Sequence, residues 1–191
     1  NATKIYFGGG CVKEHLLEAV KPYGETVMLA YGGGSIKTNG IYQEVMDVLK
    51  LAGKQVIEFS GIMPNPTYSK VMEGKKVVQE NQVDLILAVG GGSVMDCSKA
   101  ISMAAATDKD VWEEYWIKKG EIDFEPVPVG VIVTVVGTGS EVNGEGVITH
   151  EEQKIKTSRN YPRCNPVFAM MDPKYTYTVS PLQTAAGGFD M

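Results

Sequence analysis

Four apolar runs rich in β-branched residues, separated by stretches of helix length, constrain this chain more than any other feature. The runs are Val27-Met28-Leu29-Ala30, Gln55 to Phe59, Val83 to Val89 and Val127 to Val136. Each is too short for a core helix and lacks strict alternation, as expected of a strand buried on both faces. Around them, Val12 to Val20, Ile41 to Ala52, Tyr68 to Val78 and Val94 to Ala105 carry apolar residues at three- and four-residue steps, which predicts amphipathic helices. Strand-helix alternation of this kind predicts an α/β fold with a parallel sheet. In such sheets the ligand crevice lies at the carboxyl ends of the strands. The segment Thr107 to Pro128 is expected to be a partly helical connection, and Ile148 to Val167, polar with Pro162 and Pro166, a surface excursion or a hairpin.

Composition removes several function classes. With 191 residues the chain fits one compact domain, and a net charge of -5 provides no basic field for a nucleic-acid backbone. No apolar run reaches the ~20 residues of a membrane span, and the first ten residues lack the pattern of a secretory signal. Cys11, Cys97 and Cys164 are odd in number and far apart, which fits a reducing, cytoplasmic setting better than a disulfide framework. The chain opens without methionine and stops abruptly at Gly187-Gly188-Phe189-Asp190-Met191, and a fragment of a longer protein is therefore expected.

Three expected strands run into loops of small residues. The first, Gly32-Gly33-Gly34-Ser35, permits close approach to a ribose or phosphate and adds a hydroxyl, although a tight turn explains it equally well. The second, Gly90-Gly91-Gly92-Ser93, leads from a strand into a helix bearing Asp96 and Lys99. That arrangement aims backbone N–H groups and a positive helix end at an anion such as a diphosphate. It matches neither GxGxxG nor GxxxxGK[ST]. Asp96, in the first helical turn, is explained as well by the helix dipole as by ligand contact. The third loop, Gly137-Thr138-Gly139-Ser140-Glu141 after Thr134, offers more hydroxyls and amides.

Taken together, Gly90-Gly91-Gly92-Ser93-Val94-Met95-Asp96-Cys97-Ser98-Lys99, Gly137-Thr138-Gly139-Ser140-Glu141, Met63-Pro64-Asn65-Pro66 and Met171-Asp172-Pro173 resemble the iron-containing (group III) alcohol dehydrogenases, in particular the butanol dehydrogenase-like, NADPH-using aldehyde reductase branch. The resemblance covers essentially the whole chain. It implies a Rossmann-like dinucleotide-binding domain over residues 1–191, with a helical metal-binding domain following. It assigns Gly91, Gly92 and Ser93 to the diphosphate and Asp96 to the nicotinamide side. Thr134, Thr138 and Asn143 would line the cofactor, Lys156 would reach its ribose, and Tyr175 would lie by the adenine.

In that family, members using NAD commonly carry an aspartate in the first loop, where it accepts from the ribose 2′-hydroxyl and repels a 2′-phosphate. Gly33 takes that place here, between Gly32 and a hydroxyl at Ser35, so NADP(H) is expected over NAD(H). Asp190 matches the first ligand of the family's divalent metal, Fe²⁺ or Zn²⁺. The other ligands would be three histidines beyond this chain, since His15 and His150 are misplaced. One carboxylate does not hold such a metal tightly. The resemblance further implies a homodimer acting on a primary alcohol/aldehyde pair, with the metal polarising the substrate oxygen during hydride transfer. Alternatives are a nucleotide-binding module without catalysis, or a glycerol dehydrogenase-like or dehydroquinate synthase-like enzyme on the same fold. The GTGSE segment and the first loop argue against the latter pair.

Overall fold

The computed structural model describes residues 3–190. In chain order these form β1 (Lys4–Phe7), α1 (Cys11–Val20), β2 (Thr26–Tyr31), α2 (Ser35–Thr38), α3 (Ile41–Leu51), β3 (Gln55–Phe59), α4 (Tyr68–Glu80), β4 (Leu85–Gly90), α5 (Gly92–Ala105), β5 (Val129–Val133), β6 (Glu145–His150), β7 (Ile155–Asn160), β8 (Phe168–Met171) and α6 (Pro181–Asp190). Six strands make one sheet in the order β1-β8-β5-β4-β2-β3. Every pairing in it is parallel. The α/β expectation is therefore met, and the four apolar runs become the four central and edge strands β2 to β5.

The interior strands explain the lack of alternation. All six residues of β4 are buried because helices cover both faces of the sheet. On one face α1 and α3 pack Val12, Leu16, Val45 and Leu49 against Val27, Leu29, Leu85 and Leu87. On the other, α4 and α5 pack Val71, Val78, Ala100 and Ile101 against Met28, Ala30, Ile86 and Ala88. Successive strand residues thus feed opposite cores, as a period of two requires. The approach of α4 to α5 depends on Gly74, where an added Cβ would lie 2.3 Å from Ile101 Cδ1.

One segment differs from expectation and two are made more definite. β5 stops at Val133, and Val135 and Val136 sit in the following loop, each 38% exposed. The ladder ends there because Thr134 N makes the last bond, 3.0 Å to Gly90 O. Residues 148–167 hold a hairpin, as one of the two expectations had it, although its first strand begins earlier, at Glu145. The connection after Thr107 contains a π-helical turn, Trp112–Ile117. Both tryptophans of the chain lie in it and reach the hairpin: Trp112 Nε1 donates to Gln153 Oε1 at 2.8 Å, and Trp116 Nε1 to the Gly146 carbonyl at 3.2 Å. The short strand β8 and the helix α6 are additional elements without a clear periodic signature.

Candidate functional site

The helix that follows β2 lies on one face of the sheet, and the helix that follows the adjacent β4 lies on the other. A crevice must then open between their carboxyl ends, the topological switch point where doubly wound sheets bind ligands. Tyr31 pairs with Val89, and Gly90 with Val133, so the three small-residue loops emerge side by side from β2, β4 and β5. This adjacency is what the sequence could not show directly.

At the second loop, α5 starts from Gly91, whose backbone is extended and whose end has no side-chain cap. Val94 and Met95 donate to the Gly91 carbonyl. The amides of Gly92 and Ser93, ahead of them, have no intrahelical acceptor and project from the positive end of a 14-residue helix. A Cβ at Gly92 would meet nothing within 4 Å, and the residue is exposed. At Gly91 a Cβ would lie 3.2 Å from Val135, which holds the second loop close to the third. This is the geometry in which a diphosphate fits.

The first loop forms the wall of a hollow of about 300 Å³ together with Tyr31, Lys37, Ser60 and Gly61. Gly32 is confined, with a hypothetical Cβ 3.1 Å from the Ile62 carbonyl, whereas Gly33 faces open space. Ser35 opens α2 and is exposed. No carboxylate lines this hollow. Next to it, Glu58 accepts from the hydroxyls of Tyr31 and Tyr42 and, at 3.0 Å, from Lys37 Nζ. Those bonds, that of Tyr31 foremost, draw the Glu58 carboxyl down to about 2.

Two residues expected near the cofactor have internal partners at the third loop. Asp96 Oδ1 accepts from Ser140 Oγ at 2.6 Å and Oδ2 from Val147 N at 3.2 Å. Asn143 likewise spends its side-chain oxygen internally, on Glu145 N at 2.9 Å and Lys99 Nζ at 3.3 Å. Lys99, 2% exposed, also donates to Ser140 Oγ at 2.8 Å and to the Glu145 carbonyl at 2.9 Å. The reason is elementary: a half-buried carboxylate and a buried ammonium one helical turn apart must find partners, and the third loop and the start of the hairpin provide them. Burial raises the Asp96 carboxyl and lowers Lys99 to about 8, while their mutual attraction opposes both shifts. Asp96 and Lys99 thus rivet α5 to the third loop and the hairpin. Thr134 is half-buried beside the second loop, and Thr138 is exposed in the third.

Lys156 on β7 donates to Asn65 Oδ1 at 2.6 Å. Asn65 was given no role from sequence, yet it lies in the β3–α4 loop at the carboxyl edge of the sheet. It adopts a left-handed backbone with φ 55, and Thr149 N bonds the following Pro66 carbonyl at 2.9 Å. The available signal was Asn held between Pro64 and Pro66, a residue tolerant of positive φ in a forced turn. Tyr175 is buried and donates to Glu44 Oε1 at 2.8 Å. It lines a separate hollow of about 310 Å³ with Gly10, Asn39, Gly40 and Asp172, so the structure does not bring it to the three glycine loops.

Asp190 ends α6, and its side chain lies outside the described residues. Among the described residues no cluster of three His, Cys, Asp or Glu side chains is placed to hold a metal. His15 stacks on Tyr6, and His150 packs between Tyr68 and Trp112. No helix among the described residues is long and apolar enough to cross a membrane.

Comparison with known proteins agrees with this architecture. The chain is 44% identical over 191 residues to the probable NADH-dependent butanol dehydrogenase 1 of Bacillus subtilis, covering all of this chain and 49% of that protein. It is 40% identical over 189 residues to the NADPH-dependent aldehyde reductase YqhD of Escherichia coli, covering 98% of this chain and 48% of the relative. The crystal structure of NADH-dependent butanol dehydrogenase A from Thermotoga maritima superposes with a TM-score of 0.92 at 38% identity, over 100% of this chain and 47% of that one. The chain thus spans about half the length of the relatives it matches, and their names divide between NADH and NADPH. The family profile for iron-containing alcohol dehydrogenases matches residues 2–173, and the chain belongs to that family.

Proposed function

We propose that residues 1–191 are the dinucleotide-binding domain of a metal-dependent alcohol dehydrogenase or aldehyde reductase, and that they bind NADP(H) in preference to NAD(H). The observation that carries this reading is the uncapped N-terminus of α5 at the switch-point crevice, beside a first loop open at Gly33 and free of carboxylates. Gly91, Gly92 and Ser93 would hold the diphosphate. Gly32, Gly33 and Ser35 would face the adenosine ribose, Thr134 and Thr138 would line the middle of the cofactor, and Lys156 with Asn65 would close over it from the hairpin. The bound nicotinamide supplies the hydride chemistry. The residues of this chain supply binding and orientation, with the Asp96–Lys99 rivet fixing the loops around it.

The complete enzyme would act on a primary alcohol/aldehyde pair, in keeping with the names of its relatives, as a cytoplasmic homodimer. Its divalent metal would take Asp190 and further ligands from a helical domain outside this chain. Three buried free thiols fit a reducing compartment. Equilibrium titration with NADPH and NADH, followed by energy transfer from tryptophan, tests the reading. Tighter NADPH binding is expected. Tighter NADH binding would overturn the Gly33 argument, and binding of neither would overturn the crevice assignment.

A further inference from the structure

We propose that Lys37 is the cation that reads the cofactor's 2′-phosphate, held ready at the rim of the first-loop hollow by Glu58, Tyr31 and Tyr42. The inference rests on the reading above that this crevice takes NADP(H), and it names the group that would make the discrimination active. Absence of an aspartate at Gly33 removes repulsion only; preference for a phosphate over a hydroxyl also needs an attraction.

Three observations point to Lys37. It is the one charged side chain lining the hollow, and Glu58, its partner, is not among the lining residues. The pair is loosely committed: the Lys37 and Glu58 side chains are 47% and 41% exposed, the range in which an ion pair contributes little and is readily exchanged. Finally, Glu58 does not depend on Lys37. Its Oε1 accepts from Tyr42 at 2.6 Å and its Oε2 also accepts from Tyr31, so the carboxylate keeps two phenol donors when the ammonium moves away.

The same tyrosines guide the ammonium. Lys37 Nζ lies 4.5 Å from the Tyr42 ring centroid and 5.4 Å from that of Tyr31. The ring faces favour a cation without binding it as a carboxylate would. Contact with Tyr31 and Glu58 raises Lys37 above its usual range, so the group is fully charged at any working pH. A 2′-phosphate carries nearly twice the charge of Glu58 and three acceptor oxygens. A flexible four-carbon stem lets Lys37 turn from one to the other, and the tyrosine-held Glu58 then remains satisfied.

The test is the dissociation constant for NADPH and for NADH, measured on the protein and on Lys37→Met and Lys37→Arg, at low and at high ionic strength. Lys37→Met should weaken NADPH about tenfold and leave NADH within about twofold, as loss of one charge-assisted contact does. It should also flatten the extra salt dependence of NADPH binding, because that dependence reports the contact. Lys37→Arg should restore NADPH binding. Equal weakening of both cofactors by Lys37→Met, or no change in either, overturns the role of Lys37 while leaving the dinucleotide site intact. A starting protein that binds NADPH no tighter than NADH refutes the preference itself, and with it this inference. Thermal melts of each variant within about 1 °C of the parent confirm that binding, not folding, is being read, as expected for an exposed position.

Discussion

Lys99→Met removes the ammonium that joins α5 to the third loop and hairpin, and its consequences can be worked out in some detail. Methionine is similar in length and apolar, so little packing is lost. What is lost is the donor for Ser140 Oγ, Asn143 Oδ1 and the Glu145 carbonyl, at 2.8, 3.3 and 2.9 Å. Asp96, bridged to Lys99 through the Ser140 hydroxyl, is left half-buried without its cation. Removing one member of a fully buried pair costs about 3–5 kcal/mol, and the lower end, about 3 kcal/mol, applies to a half-buried, hydroxyl-bridged one. For a chain of this size that corresponds to a fall in Tm of about 6–12 °C.

Asp96→Asn added to Lys99→Met should recover about 1–3 kcal/mol relative to the sum of the single changes, since the stranded charge is gone. Urea unfolding followed by circular dichroism measures all four corners of the cycle. The pH dependence gives an independent sign. Folded Lys99 loses its proton near pH 8, by burial, whereas an unfolded lysine keeps it to about 10.4. Between those values the unfolded state binds more protons, so the parent gains stability over Lys99→Met as pH rises, by up to about 3 kcal/mol across the window. A cost below about 1 kcal/mol at neutral pH, or additive single changes, would refute the rivet.

Three further outcomes are expected. Gly33→Asp should fold unchanged, because its Cβ enters open space on a backbone that other residues adopt, yet raise the NADPH dissociation constant about tenfold or more by charge repulsion while sparing NADH; matched titrations check this. Gly144→Ala should cost about 3 kcal/mol, since the added Cβ would fall 1.8 Å from the Tyr161 carbonyl, where only backbone movement gives relief, and a thermal melt reads the loss. Cys97 and Cys164, buried with thiols pushed up to about 12, should resist alkylation in the native protein and react only on unfolding, as mass spectrometry of iodoacetamide-treated samples will show.

The extent to which the sequence anticipated this structure follows from how local each signal is. The strands β2 to β5 and helices α1, α3, α4 and α5 announce themselves because each carries a long apolar face in its own residues. β8 does not: four residues, Phe168–Met171, contain no β-branched side chain and become a strand only by lying between β1 and β5. Val135 and Val136 mislead in the opposite sense, being β-branched but lacking a neighbouring strand. At the site, the loops were identifiable as runs of glycine at strand ends, and at Gly34 and Gly139 a positive φ demands that residue locally. The engagement of Asp96 with Ser140 and Val147 depends on residues 44 and 51 positions away. The pairing of Lys156 with Asn65 spans 91 positions. Partnerships at such separations are created by topology, and no periodicity encodes them.

The placement of the two tryptophans has a practical consequence. Both indole N–H groups are bonded to the hairpin, one at its turn and one on β6, while the six-stranded sheet contains neither tryptophan. Both indoles are also buried in the core that joins the sheet to α4 and α5, so intrinsic emission reports the docking of the hairpin onto that core. A spectral change that precedes the loss of far-ultraviolet ellipticity on heating would mean that the packing between hairpin and core loosens first. The protein thus carries its own optical gauge of that motion, requiring no added label.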